Sequence, residues 1–289
     1  MDRRSFLKNT ALGGTAAAAT TLAAPAYAQG KRTLTLVTTW GRGLAGVHDA
    51  AQRSADTITA MTDGALTIDL KAAGELVGAF EVFDAVSRGT AQMGHGSAYY
   101  WKGKSETAQF FSTVPFGLTA QEMNGWIYHG GGLELWREVY APHGIVPFLA
   151  ASSGPQMGGW FNREINGIED LKGLKMRIPG LGGEILKRAG GTPVNTPGGE
   201  IFTALQTGAI DATEWVGPYN DLAIGLHQVA KYYYYPGWHE PGTCLEVMFN
   251  KKAYESLPVE LQQTIDAVAA ETNMWSLSEF EAGNGAALQ

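Results

Sequence analysis

The sequence predicts an α/β fold organised as two lobes. Short segments rich in β-branched and aromatic residues alternate with amphipathic helical segments along most of the chain, which indicates mainly parallel sheets. These elements follow one another without a repeat at a fixed spacing, and so many of them favour two lobes over one sheet. The 289 residues are enough for one large domain or two ordinary ones.

Each element is predicted from its own periodicity. Strands are expected where apolar residues alternate or form short runs, and helices where apolar residues recur on one face. The expected strands are 32–40, 66–71, 91–97, 145–151, 157–162, 174–178, a short one near 193–194, 231–235 and 244–249. The expected helices are 48–61, 79–86, 121–140 with a break at Gly130-Gly131-Gly132, 168–171, 184–189, one that leads into the loop at Glu214, and 258–282.

The order of these elements predicts how the chain is divided. We expect a first lobe of about 29–150 with part of 230–255, and a second of about 151–229 with returning segments. The helix at 258–282 would end the chain. Residues 283–289 carry no packing pattern, so we expect this helix to have lost a continuation.

Residues 1–28 have the pattern of a twin-arginine export signal. The segment DRRSFLK at 2–8 precedes a weakly apolar run rich in Ala, Gly and Thr at 10–24, and AYA at 26–28 matches an A-x-A cleavage site. The run has no polar face, which argues against an ordinary amphipathic helix. We therefore expect the signal to be removed and residues 29–289 to be a soluble protein of the periplasm.

Charge and cysteine content exclude several classes of function. The net charge of −7 and the lack of a basic run make nucleic acid a poor partner. The single cysteine, Cys244, excludes an intrachain disulfide, a CxxC redox pair and a thiolate metal cluster. No later segment has the roughly 20 uninterrupted apolar residues of a membrane helix.

A glycine-rich segment raises one enzymatic alternative. GRGLAG at 41–46 matches GxGxxG between a predicted strand and a helix, with Asp69 about twenty residues on, as in dinucleotide-binding enzymes. Trp40 stands directly before the first glycine, where its bulk would crowd a pyrophosphate. An exported dinucleotide-dependent oxidoreductase therefore stays as the alternative from a different class.

The sequence offers little else that points to catalysis. It contains no GxSxG, HExxH or Walker motif, and no two histidines have the spacing of metal ligands. We interpret the histidines as surface or satisfied core residues: His48, His95, His129, His143, His227 and His239.

A few polar side chains interrupt apolar sequence and are candidates for binding. Glu214 adjoins Trp215 in GAIDATEWVGP, where a carboxylate beside an indole suits a pocket for a cation or polar ligand. Arg177 lies in the apolar strand LKMRIPG, and its planar fork fits a carboxylate, although Asp170 or Glu184 could be a structural partner. Three further candidates are Gln156, which opens a strand, Glu240, which follows an aromatic run, and Tyr100, which lies in an aromatic cluster after a strand. The tyrosines could also be simply core and rim residues.

Several long segments, spread over nearly the whole chain after the signal, resemble the periplasmic solute receptors of TRAP transporters, the DctP-type family. LKGLKMR followed by G-x-I-D-A is typical of the family, while TEW and YYYYPGW resemble the branch that binds α-keto acids such as pyruvate. The segments that carry the resemblance are QMGGWF at 156–161, INGIEDLKGLKMRIP at 165–179, GAIDATEWVGP at 208–218, YYYYPGW at 232–238 and MFNKKAYESLP at 248–258.

The resemblance implies a non-enzymatic receptor of the periplasmic-binding-protein type. Two α/β lobes would close a cleft around a small organic acid, with a hinge and a long bridging helix. The receptor would deliver the acid to TRAP permease subunits in the membrane, and it would need no organic cofactor. Relatives extend past residue 289 into helices used for dimer packing, so monomer and homodimer both stay open. A receptor for lactate or for another 2-hydroxy or larger carboxylate is the alternative within this class.

The resemblance also implies a role for each site residue. Gln156 and Glu214 would give side-chain oxygens, and Trp215 its main-chain carbonyl, to a bound Na⁺ or Ca²⁺, since an all-oxygen set suits a hard cation. Arg177 would pair with the solute carboxylate and face Glu214 across the closing gap. The solute-binding residues would be Tyr100, Gln156, Arg177, Trp215 and Glu240.

Overall fold

Two five-stranded sheets form the framework of the computed structural model, which describes residues 30–289. The predicted export signal at 1–28 lies outside the described residues. The strands are β1 (Arg32–Thr38), β2 (Leu66–Lys71), β3 (Met93–Gly96), β4 (Ile145–Ser152), β5 (Gly159–Phe161), β6 (Lys175–Arg177), β7 (Thr192–Val194), β8 (Ala212–Thr213), β9 (Tyr232–Tyr234) and β10 (Cys244–Asn250). The α/β fold with two lobes is therefore confirmed, and we call the parts built on the two sheets the first and second lobes.

The α-helices lie among these strands largely in the expected order, although those at 218–223 and 251–255 were not predicted and the expected helix at 168–171 is a 3₁₀ turn. They are α1 (Val47–Met61), α2 (Val82–Arg88), α3 (Ala120–His129), α4 (Gly132–Tyr140), α5 (Gly180–Arg188), α6 (Ile201–Gln206), α7 (Pro218–Ala223), α8 (Lys251–Glu255) and α9 (Val259–Ala287). The predicted helix at 121–140 is divided as expected, because Gly131 has a φ of 84° that a residue with a side chain rarely adopts. Among residues 30–289, no helix combines the length and the apolar character needed to cross a bilayer.

Both sheets are mixed but mainly parallel, as expected, because four of the five strands in each run in one direction and one runs against them. The first sheet has the order β2-β1-β3-β10-β4, in which β1 is parallel to β2 and β3 while β10 is antiparallel to β3 and β4. The second has the order β7-β6-β8-β5-β9, in which β6 is parallel to β7 and β8 while β5 is antiparallel to β8 and β9. Apolar periodicity shows which face of a strand is buried, and it carries no information on strand direction. Strand β10 enters the first sheet where the chain returns from the second.

The chain crosses between the sheets in two neighbouring segments, 153–158 and 235–243. Backbone hydrogen bonds join them: Ser153 N–H donates to Thr243 at 3.0 Å and Gln156 N–H to Glu240 at 3.1 Å. Gly237 N–H returns a bond to the carbonyl of Gln156 at 2.9 Å, and a Cβ at Gly237 would lie only 2.3 Å from that oxygen. The two connections therefore form one narrow hinge between the lobes.

The long helix α9 lies against both lobes, as the resemblance implied. Ser276 receives a hydrogen bond at 2.9 Å from the backbone of Ser152 in β4, and Asn284 receives one at 3.1 Å from Tyr219 in α7. Phe280, fully buried, packs against Gly46 at the start of α1. The prediction of this helix at 258–282 was short by five residues at its end.

Contacts around Gly46 weaken the dinucleotide alternative. A Cβ at Gly46 would lie 2.7 Å from the Phe280 ring and 3.0 Å from the Asn220 side chain, and that side chain donates to the carbonyl of Ala45 at 2.7 Å. In a dinucleotide-binding loop the second and third glycines keep this space free for the pyrophosphate and the helix. Here α9 and α7 fill it.

Candidate functional site

Arg177 and Glu214 lie at the ends of adjacent strands of one sheet. Arg177 of β6 pairs in register with Thr213 of β8, and Glu214 N–H donates to the carbonyl of Arg177 at 3.1 Å. Both side chains are buried and form an ion pair. The expectation that they face each other across the gap between lobes is therefore wrong, because a parallel pair of strands places both side chains on the second lobe.

The guanidinium of Arg177 is satisfied from several directions. Its Nε donates to the carbonyl of Thr196 at 3.1 Å, its Nη1 pairs with Glu214 Oε1, and its Nη2 donates to the Tyr100 hydroxyl at 3.2 Å. Burial, the largest single effect, would lower the pKa of Arg177, but Glu214 together with the neighbouring acidic groups outweighs it and the pKa is raised. The suggested structural partners do not pair with it, since the carboxylate of Glu184 contacts Lys102 instead.

Tyr100 brings the first lobe into the site. It belongs to a 3₁₀ turn, Ala98–Trp101, directly after β3, and its ring lies 6.0 Å from that of Trp40. Trp40 in turn contacts Trp215 of the second lobe edge to face at 6.2 Å. The predicted Tyr100 and Trp215 are thus parts of one aromatic junction between the lobes, and the Arg177 guanidinium lies 5.4 Å from the Trp215 ring.

The hinge supplies the remaining predicted residues, Gln156 and Glu240. Gln156 Nε2 donates to Ser153 Oγ at 3.0 Å and to Thr243 Oγ1 at 3.3 Å. Thr243 Oγ1 donates in turn to Glu240 Oε2 at 2.5 Å. Burial, and then the negative charge of Glu214, raise the pKa of Glu240 to about 7. All six predicted site residues therefore lie around one buried polar centre at the meeting of hinge and lobes.

Two oxygens in this centre have no donor among the described residues. They are Gln156 Oε1 and Glu214 Oε2, on two side chains that are at most 3% exposed. A buried acceptor without a partner costs free energy unless a ligand supplies one. Such oxygens fit a hard cation, which is the donor chemistry expected from the sequence.

Sequence reasoning missed His239 as a site residue. Its side chain is 1% exposed, both ring nitrogens lack a hydrogen-bond partner among the described residues, and Nε2 lies 3.5 Å from Glu214 Oε2. The interpretation of this histidine as surface or satisfied core is therefore wrong. A signal was present in the sequence, because His239 directly precedes the predicted Glu240 after a run of aromatic residues.

Asp221 in α7 was also missed by sequence reasoning. Its hydrogen bonds hold the loop that carries Glu214 in place. Its Oδ1 accepts from Val216 N–H at 3.0 Å, while its Oδ2 accepts from Trp160 Nε1 and the Tyr233 hydroxyl, each at 2.9 Å. Burial raises its pKa to about 7, although these hydrogen bonds oppose the shift. Asp221 thereby positions the segment that carries Glu214 and Trp215.

Comparison with known proteins identifies the family of the chain. The family described as bacterial extracellular solute-binding protein, family 7 (DctP), matches residues 40–289, which is most of the chain. The chain belongs to this family. DctP-family proteins are solute-binding receptors, so the class of function expected from the sequence is confirmed.

One DctP relative is a monocarboxylate 2-oxoacid-binding periplasmic protein of Nostoc sp. It is 48% identical over 253 residues, which are 88% of this chain and 69% of the relative.

Solved DctP-family structures give the same fold. A TRAP periplasmic solute-binding protein of Pseudoalteromonas atlantica with bound sodium and pyruvate is 47% identical, with a TM-score of 0.87, covering 89% of this chain and 78% of its own. A protein of Colwellia psychrerythraea with bound calcium and pyruvate is 46% identical, with a TM-score of 0.86 and the same coverage. A Bordetella bronchiseptica protein, a dimer with calcium and picolinate, is 38% identical, with a TM-score of 0.88, covering 90% and 77%.

Proposed function

We propose that this DctP-family protein is a periplasmic receptor for a short α-keto monocarboxylate such as pyruvate. It would bind the acid together with Na⁺ or Ca²⁺ and deliver it to TRAP permease subunits. The observation that carries the proposal is the buried centre in which Arg177 lies beside two unpartnered oxygens, Gln156 Oε1 and Glu214 Oε2. The twin-arginine signal and export to the periplasm belong to the same proposal.

Arg177 is the proposed partner of the solute carboxylate. Its fork has the geometry for bidentate pairing, and its aromatic and backbone contacts fix its direction. Tyr100 reaches the same guanidinium from the first lobe, so closing the lobes would complete the pocket. Glu240, Gln156 and Trp215 would line the remaining walls.

The cation would be held by Gln156 Oε1, Glu214 Oε2 and the main-chain carbonyl of Trp215. Its positive charge would neutralise the carboxylates of Glu214 and of the bound acid. Burying either carboxylate without a partner would be costly in free energy. Glu214 now pairs with Arg177 Nη1, so a solute carboxylate must replace it there. We therefore infer that acid and cation bind cooperatively.

The ligand class is supported by relatives as well as by chemistry. Two homologues at 46–47% identity hold pyruvate with sodium or calcium, and the Nostoc protein binds 2-oxoacids. The oxygen at position 2 of such acids can serve a hard cation together with the carboxylate. Lactate shares that feature through its hydroxyl, so titration with a panel of 2-oxo and 2-hydroxy acids will decide between these ligands.

The decisive experiment measures pyruvate binding by Arg177→Ala. We expect wild-type protein to gain thermal stability with pyruvate and Na⁺ by mass action, and Arg177→Ala to lose that gain. Arg188→Ala, an exposed arginine on α5 of the same lobe, is the matched control and should bind normally. Isothermal titration with Na⁺, Ca²⁺ or neither tests the coupling. Normal pyruvate affinity in Arg177→Ala would overturn the proposed carboxylate site.

A homodimer is proposed with less direct support, since one homologue forms a dimer in its crystal. Sedimentation velocity of the purified protein across a concentration series measures the assembly.

A further inference from the structure

Three side chains, two from the hinge and one from the loop after β8, place metal-binding atoms of mixed type close together. Glu214, His239 and Glu240 each offer one ligand atom, and these atoms all lie within 4.8 Å of one another. All three side chains are at most 2% exposed. This set differs from the proposed all-oxygen set because it includes an imidazole nitrogen.

The spacing of two of these atoms fits one small ion. Two ligand atoms at about 2.1 Å from a tetrahedral ion lie about 3.4 Å apart. His239 Nε2 and Glu214 Oε2 lie 3.5 Å apart, and neither atom has a hydrogen-bond partner among the described residues. One ion could therefore bridge them without a rearrangement of either side chain.

The surrounding contacts hold these ligands in place. Arg177 pairs with the other oxygen of Glu214, and Thr243 Oγ1 donates to Glu240 Oε2. Carboxylates that bind metals are commonly oriented by such hydrogen bonds. The base of His239 packs closely on α5, since a Cβ at Gly182 would lie 3.0 Å from the His239 Cβ.

We propose that Glu214, His239 and Glu240 form a binding site for a borderline divalent transition metal such as Zn²⁺. One imidazole and two carboxylates suit zinc, cobalt or manganese, whereas Na⁺ and Ca²⁺ favour oxygen alone. The site does not rest on the proposed function. It shares Glu214 with the proposed Na⁺ or Ca²⁺ site, so zinc would compete with the hard cation.

The test is a zinc titration of the whole protein against a chromophoric chelator, followed by metal analysis after dialysis. We expect one zinc per chain. His239→Gln should weaken zinc binding at least about tenfold, because loss of an outer hydrogen bond to a ligand already costs that much. His227→Gln, which alters an exposed histidine, is the matched control and should bind zinc as wild type does.

A second readout reports the nitrogen ligand directly. Co²⁺ should give visible absorption bands in wild type that weaken in both His239→Gln and Glu240→Gln, each checked for folding by circular dichroism. The proposal is overturned if wild type takes up no zinc or if His239→Gln retains wild-type affinity. Pyruvate titration of zinc-free wild type tests the proposed function separately, so either idea can fail alone.

Discussion

At the scale of single residues, burial raises the pKa of several carboxyl groups. Glu246 lies in β10, an inner strand of the first sheet, and is fully buried; its Oε1 accepts from Trp101 Nε1 at 2.6 Å and from the Tyr140 hydroxyl at 2.9 Å. Burial raises its pKa to about 8 despite these bonds. Asp221 and Glu240 are shifted in the same direction, to about 7 each.

Glu246 should make the folded protein less stable as the pH rises. The folded-state pKa of about 8 exceeds the ordinary value of 4.5, so the folded protein binds the proton more tightly. This contribution is full below pH 4.5 and is lost as the pH rises through 8. In Glu246→Gln, which stays neutral, we expect the free energy of unfolding to exceed that of wild type by a few kcal/mol at pH 9 and by much less at pH 5.

Urea unfolding at the two pH values measures this difference. Glu138→Gln, on the exposed face of α4, is the control and should follow wild type. Parallel pH curves for wild type and Glu246→Gln would show that the carboxyl titrates alike in both states.

At the scale of elements, α9 and the hinge hold the lobes in relation to each other. Phe280 of α9 packs on Gly46 at the start of α1, and Asn284 of the same helix contacts α7. α7 carries Asp221, which fixes the loop of Glu214 and Trp215. The long helix α9 therefore stabilises the site indirectly, through its contacts with α7 and with the start of α1.

Two glycine variants separate packing from backbone strain at the start of α1. Gly43 and Gly46 both have positive φ, 77° and 70°, but only Gly46 is crowded, with Phe280 at 2.7 Å from an added Cβ. We expect Gly43→Ala to cost about 1 kcal/mol of unfolding free energy through strain, and Gly46→Ala to cost about 1–3 kcal/mol more through overpacking. Urea unfolding measures both. Equal costs would mean that Phe280 moves aside freely.

At the scale of the whole molecule, the lobes also touch outside the hinge and α9, through an apolar cluster that includes Trp40 and Trp215 and through polar contacts. One polar contact is the partly buried hydrogen bond from Arg177 to Tyr100, and another is the exposed ion pair of Lys102 with Glu184 at 3.1 Å. Gly180, with a φ of 58°, lets the start of α5 approach within 3.1 Å of Tyr99, measured from an added Cβ. The tyrosines after β3 thus form one part of the contact between the lobes.

The two contacts between lobes should differ in their effect on solute affinity. Tyr100→Phe removes a partly buried hydrogen bond to a charged group, and we expect affinity for pyruvate to fall by about tenfold. Lys102→Ala removes an exposed ion pair, which typically contributes about 0–1 kcal/mol, so affinity should fall less than about fivefold. Isothermal titration measures both. A larger loss of affinity in Lys102→Ala than in Tyr100→Phe would mean that the exposed ion pair with Glu184 contributes more to closure of the lobes.

Much of the architecture could be predicted from the sequence, because apolar periodicity is a local property. Most elements, the break at Gly130–Gly132 and the long final helix followed from it, whereas the short helices at 218–223 and 251–255 did not. The predicted site residues Gln156, Arg177 and Glu214 stood out as polar groups in apolar surroundings, and the resemblance to DctP receptors gave them roles.

Only the tertiary structure decided the directions of the strands, the location of Arg177 and Glu214 on one sheet, and the burial of His239 beside Glu214. These features depend on contacts between residues far apart in the chain. The sequence determined which faces are apolar and which polar groups are costly to bury. The fold decided which of those polar groups meet, because partners across a hinge leave no local pattern.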